Sequence, residues 1–349
     1  MKSLHVNEFV SRFPEGALLD VRTPAEYEKA HIPGAQNLPL FTNEERAIVG
    51  TLYKQIGRQP AILKGLELVG PKMKEYVKTA VSLSGGSNKI FVYCWRGGMR
   101  SSSMAWLLDM YGFEVFVLKR GYKAFRNFAL QTFHEPRNIL VLGGKTGSGK
   151  TKVLHELGRY REQIIDLEGL AHHKGSAFGT IGETENCSQE HFENKLAMAW
   201  LRTNAEDRVW IEDESRSIGK KILPEAIWNQ LRIAMVVNME VPLEHRIQYL
   251  VSEYGNVPKE VLLESTLKIK KRLGDQAYKI VSQCIENKEL GMAAGILLRY
   301  YDKAYGFGLG TRDKTTVFKF ETTETDDALI AKNLLAFSKT IPQITPQHV

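Results

Sequence analysis

Residues 138–151 read NILVLGGKTGSGKT, an apolar run from Asn138 to Leu142 followed by Gly144, Lys145, Thr146, Gly147, Ser148, Gly149, Lys150 and Thr151. The spacing is G-x-x-x-x-G-K-[ST], after a strand pattern and before a helix pattern. A strand that feeds such a turn presents backbone N–H groups at a helix N-terminus, where an anion is stabilised. Lys150 then neutralises phosphate oxygens, and Thr151 can hold Mg2+. Further strands are expected at Gln163–Asp166, Arg208–Glu212 and Ile233–Glu240, with helices between them, and residues 243–304 read as helical throughout. Strands alternating with helices make this part α/β with a helical C-terminal region.

An enzyme that hydrolyses a nucleotide needs an acidic residue at a neighbouring strand end to hold Mg2+. Asp166, Glu168, Glu212 and Asp213 are the candidates for Mg2+ or substrate. No residue identifiable from the pattern positions an attacking water, so pyrophosphate binding without nucleotide turnover stays open beside nucleotide use. His172 and His173 adjoin the small-residue loop Lys174–Gly179. They lack acidic or thiol partners at ligand spacing, so this segment reads as a substrate loop and not as a metal site.

Upstream, Lys89 to Cys94 is a continuous apolar run suited to a buried parallel strand, and Arg100 to Met110 is a helix. Between them lies Cys94-Trp95-Arg96-Gly97-Gly98-Met99-Arg100. A cysteine at a strand tip, ahead of a helix N-terminus, is where a thiolate or bound anion is favoured. The two glycines permit a tight loop, and Arg96 and Arg100 supply guanidinium donors to a phosphate-like or sulfur-bearing substrate. Thr23 and Pro24 read as a helix N-cap and first helical position, and helices are expected across Asn43–Leu83.

Length and composition suit two ordinary globular domains: 349 residues, 43% hydrophobic and 25% charged. No apolar run reaches the ~18 residues of a membrane span, and the N-terminus carries no signal-peptide core, so a cytoplasmic protein is expected. Three widely spaced cysteines, Cys94, Cys187 and Cys284, argue against a disulfide scaffold or a structural zinc. The charge is uneven: residues 1–136 hold 18 Lys+Arg against 12 Asp+Glu, and the rest hold 29 against 28. That excess permits nucleic-acid binding by the first part without demonstrating it.

The cysteine loop, with Leu18-Leu19-Asp20-Val21-Arg22, Glu26 and His31-Ile32-Pro33-Gly34-Ala35 upstream of it, resembles the rhodanese family in order and spacing. The five residues between Cys94 and Arg100 make its loop longer than in simple sulfurtransferases, a length like that of the rhodanese-fold protein phosphatases. The expected organisation is a rhodanese-like domain over residues 1–125, a linker at 126–137, and a P-loop NTPase-like domain over 138–349. This combination, with the phrases at 93–101, 121–126 and 173–179, resembles the tRNA 2-selenouridine synthase family. That resemblance implies a transferase acting on 2-thiouridine at the wobble position of tRNA. It implies geranylation of the sulfur from geranyl diphosphate, then exchange for selenium from selenophosphate, supplied by a selenophosphate-producing enzyme. It also implies Cys94 as the selenium carrier, forming a selanylsulfide, with residues 95–100 around selenophosphate and no firmly bound cofactor. The diphosphate of the donor is expected in the loop around Lys150. Against this stand a P-loop kinase or NTPase with a regulatory rhodanese-like or cysteine-phosphatase-like domain, and a tRNA-binding module that only shuttles persulfide.

Overall fold

Two five-stranded, all-parallel sheets organise the computed structural model, which describes residues 1–179, 181–182 and 187–342. The end of the expected second domain, 343–349, lies outside the described residues. The chain divides into two units, and residues 190–198 group with the first 132 residues.

The first unit runs β1 (Lys2–Leu4), α1 (Val6–Arg12), β2 (Ala17–Asp20), α2 (Pro24–Lys29), β3 (Gln36–Asn37), α3 (Asn43–Gln55), α4 (Arg58–Val69), α5 (Met73–Leu83), β4 (Lys89–Tyr93), α6 (Met99–Tyr111), β5 (Glu114–Leu118) and α7 (Gly121–Thr132). The strand order is β1-β5-β4-β2-β3, so β4 lies in the middle, with Cys94 directly after its last residue. Its residues Ile90 to Tyr93 are wholly buried, as expected for a strand covered on both faces. Helices α2 and α3 each begin with a capping box, Thr23 with Glu26 and Thr42 with Glu45, which satisfies amides that a helix start leaves open. The stretch 126–137, read as a linker, contains the second half of α7, whose Phe125, Ala129 and Thr132 are buried. Its periodicity is that of a docked helix, which outweighs the scattered polar residues that suggested a connection.

The second unit carries β6 (Asn138–Gly144), α8 (Lys150–Arg159), β7 (Gln163–Ile165), α9 (Leu167–Ala171), α10 (Gln189–Leu201, shared with the first unit), β8 (Arg208–Glu212), β9 (Ser217–Ile218), β10 (Lys221–Ile222), α11 (Glu225–Ile233), β11 (Met235–Glu240), α12 (Leu243–Tyr254), α13 (Lys259–Lys268), α14 (Lys270–Leu273), α15 (Asp275–Glu286), α16 (Leu290–Gly310), β12 (Val317–Glu321) and α17 (Asp327–Ser338). Its sheet order, β12-β11-β6-β8-β7, again puts the strand before the functional loop at the centre. Residue 233 closes α11, so the third expected strand begins two residues late. The edge strand β12, absent from the sequence reading, is five residues with an exposed Lys319 in the middle, too short a pattern to stand out. Leu140, Leu142, Val153, Leu157, Trp210 and Val237 fill the core between sheet and α8, each worth roughly 1.5–3 kcal/mol of burial. A second apolar cluster joins α13, α15 and α16 around Leu262, Ile285 and Ala293. Among the described residues no helix is long and apolar enough to cross a membrane.

Candidate functional sites: a cysteine loop and a phosphate loop

The cysteine loop is clamped from below. The Tyr122 amide donates to the Cys94 carbonyl at 2.8 Å, and the Lys123 amide to Trp95 at 3.1 Å. Gly121 has φ +58°, and a Cβ there would stand 2.2 Å from the Cys94 carbonyl oxygen and 2.5 Å from the Gly97 nitrogen. Only glycine lets the start of α7 come so near the loop. Beneath the loop, Arg22 forms a buried ion pair with Asp20, Nη2 to Oδ2 at 2.6 Å, and its guanidinium lies 4.0 Å from the Tyr122 ring centroid. The Asp-Val-Arg phrase is therefore a support under the strand tips.

Cys94 is 3% exposed. Its sulfur is turned into the loop, 3.2 Å from the Ser101 hydroxyl and 4.0 Å from the Gly98 carbonyl. Ser101 also donates to the Gly98 carbonyl at 3.1 Å. A hydroxyl with one proton cannot give it to both, so Ser101 accepts from the thiol or, rotated, donates to the thiolate. Ser101, one residue beyond the expected loop, is the partner the sequence reading missed. The two arginines differ. Arg96 is exposed, whereas Arg100 is bound to Glu26 at 2.6 and 3.3 Å. Burial opposes charge on Glu26, but Arg100 and the Thr23 amide hold it below the usual carboxylate range. An anion recruited by Arg100 would therefore share it with Glu26. Trp95 and Met99 line the exposed outer side of the loop.

In the second unit the loop Gly144–Thr151 links β6 to α8. Lys150 Nζ rests on the Gly144 carbonyl at 2.9 Å. The Gly144 amide donates to the Tyr305 hydroxyl at 2.8 Å, and that hydroxyl donates to Asn238 at 2.9 Å. Ser148, 5% exposed, keeps its Oγ without a partner, a buried polar atom that a bound oxyanion would satisfy. Lys145, Thr146 and Gly147 form the turn, with the Thr146 carbonyl accepting from Arg246 at 3.2 Å.

The four acidic candidates separate. Thr151 Oγ1 stands 3.1 Å from Glu168 and 3.0 Å from Glu212. Asp166 instead caps α9 through the Gly169 amide at 2.7 Å and faces His155 at 2.8 Å. Asp213 is paired with the buried Arg312 at 2.7 Å. Glu214, which the sequence reading passed over, converges with Glu168 on Gly175, where an added Cβ would lie 2.7 and 2.6 Å from their oxygens. Burial and then the neighbouring Glu168 push the Glu214 carboxyl up to about 8. Burial also raises Glu168, and it raises Glu212 far more, together with the nearby acids. Among the described residues no group of three or more His, Cys, Asp or Glu has metal-holding geometry. A hydroxyl and carboxylates beside a phosphate cradle do fit Mg2+, which takes one or two carboxylates and completes its shell with phosphate and water.

The phosphate loop opens into a cavity of about 1060 Å3, at the upper end for small-molecule sites. One end holds Gly144–Thr151, Glu168 and Glu214; the substrate loop expected at 174–179 contributes Lys174, Gly175, Ser176 and Phe178. Leu262, Ile285 and Leu290, Ala293, Ala294, Leu297 and Leu298 of α16 give the same cavity an apolar lining. Tyr301 lines it too and accepts from the Ala177 amide at 3.4 Å.

A family model described as the rhodanese-like domain matches residues 5–128. A second, described as the tRNA 2-selenouridine synthase AAA domain, matches residues 137–334. A tRNA 2-selenouridine synthase of Shewanella denitrificans is 35% identical, covering 90% of this chain and 94% of its own. One of Pseudomonas putida is 33% identical, over 90% and 95%. The solved N-terminal domain of a putative ATP/GTP binding protein from Clostridium difficile 630 is 42% identical over 37% of this chain and 99% of its own, with a TM-score of 0.35. Since the two matched domains follow one another in a single chain and the likeness extends over nearly all of it, the protein belongs to the tRNA 2-selenouridine synthase family of enzymes.

Proposed function

We propose that this enzyme converts 2-thiouridine at the tRNA wobble position into 2-selenouridine through an S-geranylated intermediate. The observation that carries the reading is a phosphate cradle opening directly onto an apolar cavity. That pairing suits a donor with a diphosphate head and a hydrocarbon tail. The amides of Gly144–Thr151 and Lys150 hold the head, and the unpartnered Ser148 hydroxyl supplies one more donor. Mg2+ held by Thr151 and Glu212 would neutralise the departing diphosphate. In the first step the base's sulfur bonds to C1 of the geranyl group, the C1–O bond breaks, and the N3 proton leaves the base.

Alkylation turns the sulfur into a leaving group: in the second step the selenium of selenophosphate bonds to C2, the C2–S bond breaks and geranylthiol leaves. Water then splits the Se–P bond to release phosphate, with Cys94 at the loop that presents the selenium donor. The selenium donor is selenophosphate, approached through the loop 95–100, with exposed Arg96 meeting it first. A wobble base sits in a single-stranded loop and can be splayed out at modest cost. The basic excess of residues 1–136 supports backbone contacts to the tRNA, with binding that falls as salt rises.

The test is mass spectrometry of tRNA nucleosides after incubation with geranyl diphosphate and selenophosphate. Cys94→Ala is expected to abolish 2-selenouridine while 2-geranylthiouridine still forms. Selenation by Cys94→Ala at the wild-type rate would remove Cys94 from the selenation step, and normal geranylation by Lys150→Ala would end the diphosphate assignment.

A further inference from the structure

The cavity has a direction, and α16 defines it. Tyr305, near one end of the helix, meets the Gly144 amide at the start of the phosphate loop. From there Tyr301, Leu298, Ala294 and Leu290 recur at helical spacing, and all four line the cavity. At ~1.5 Å rise per residue they lie roughly 6, 10, 16 and 22 Å from Tyr305 along the axis. Beyond Leu298 the side chains shrink: Ala293 and Ala294 are both buried and both face the space, with Leu262 and Ile285 across from them.

The face is built for a chain anchored at the tyrosine end. Lys150, Glu168 and Glu214 line the cavity beside the phosphate loop, and Lys174, Ser176 and Glu253 line it as well, while the α16 stripe from Leu298 to Leu290 offers only hydrocarbon. An extended carbon chain advances ~1.2 Å per bond, so the main chain of a geranyl group spans about 8 Å and that of a farnesyl group about 13 Å. A geranyl tail started at the phosphate loop ends beside Leu297 and Leu298. A farnesyl tail runs on to the alanines.

We propose that α16 is the wall along which the donor's isoprenoid tail lies, and that Ala294 sets the longest chain the enzyme admits. This rests on the reading that the phosphate loop holds the donor's diphosphate. The wall as it stands leaves space past a ten-carbon tail, so the cavity itself does not exclude a fifteen-carbon one.

Calorimetric titration of the full-length protein with Mg2+ and three probes tests this: inorganic pyrophosphate, geranyl diphosphate and farnesyl diphosphate. Wild type is expected to bind geranyl diphosphate at least tenfold tighter than pyrophosphate. In Ala294→Phe the ratio of farnesyl to geranyl affinity falls at least tenfold, and in Ala294→Leu, a smaller intrusion, it moves the same way. Equal affinity of wild type for pyrophosphate and geranyl diphosphate would overturn the proposal, as would an unchanged ratio in the Ala294 variants. Pyrophosphate binding that survives Lys150→Ala intact would instead remove the diphosphate reading beneath it, so the two failures are separable.

Discussion

Ser101 shows how one hydroxyl can decide the behaviour of a sulfur. It lies between the Cys94 sulfur and the Gly98 carbonyl, and its single proton can serve either one. When the thiolate forms, rotation toward sulfur supplies a hydrogen bond to a charged acceptor, worth about 1.5–3 kcal/mol. Ser101→Ala removes that bond without altering the loop's glycines or arginines. Alkylation of Cys94 by iodoacetamide near neutral pH, followed on its own peptide, is expected to slow about tenfold, and Ser101→Thr to restore it. An unchanged rate in the alanine variant would leave the hydroxyl a packing role only. The sequence marked Cys94 because a cysteine at a strand tip before two glycines is rare chemistry. It did not mark Ser101, because a serine in a helix's first turn is ordinary. Arg100 illustrates the converse: its type suggested an anion ligand, but only the fold brings Glu26, 74 residues away, against it.

At the level of elements, strand ends gather the carboxylates of the second unit. Glu212 closes β8, Glu214 lies two residues beyond it, and Glu168 stands in the first turn of α9 just past β7. Their mutual repulsion and burial raise all three, Glu214 to about 8. An acid whose folded value lies above its unfolded one holds its proton more tightly when folded. Its contribution is complete below about pH 4.5 and is lost as pH rises through about 8. In EDTA, the second unit's melting temperature should fall over that window, and Glu214→Gln should make the fall shallower. Superimposable pH curves for the two proteins would show that Glu214 titrates normally. Elements were the most legible level of the sequence. Buried parallel strands such as Ile90–Tyr93 and Ile139–Leu142 are unbroken apolar runs, and the helices they feed have clear starts. Short edge strands escaped: β1, β3 and β12 are two to five residues long and gain their definition from a neighbour rather than from their own pattern. The 243–304 stretch read simply as helical, since nothing local tells a helix face that lines a cavity from one that packs in a core.

Across the whole molecule, the boundary between units was the least legible feature. The first unit takes residues 190–198 from a helix nearly sixty residues past its last strand-helix segment. Asn194 is the centre of that attachment: it donates to the His31 carbonyl at 3.0 Å and to the Tyr122 hydroxyl at 2.8 Å, and accepts from Arg126 at 3.0 Å. Arg126 also pairs with Glu193. Asn194 is fully buried, so Asn194→Ala strands several polar groups and should destabilise the first unit by about 2–3 kcal/mol. Urea unfolding followed by circular dichroism would read this as an earlier transition, and one within 0.5 kcal/mol, about the scatter of ordinary surface substitutions, would count against the attachment. Distant pairings of this kind leave no periodicity for a sequence reader to find. The borrowed helical segment also has a temporal consequence. A nascent chain leaving the ribosome carries every strand of its first sheet once residue 118 has emerged, yet Tyr122 and Arg126 must wait for a segment some seventy residues behind. The thiol-bearing half is thus the first to be synthesised but cannot finish maturing until translation is well into the second half.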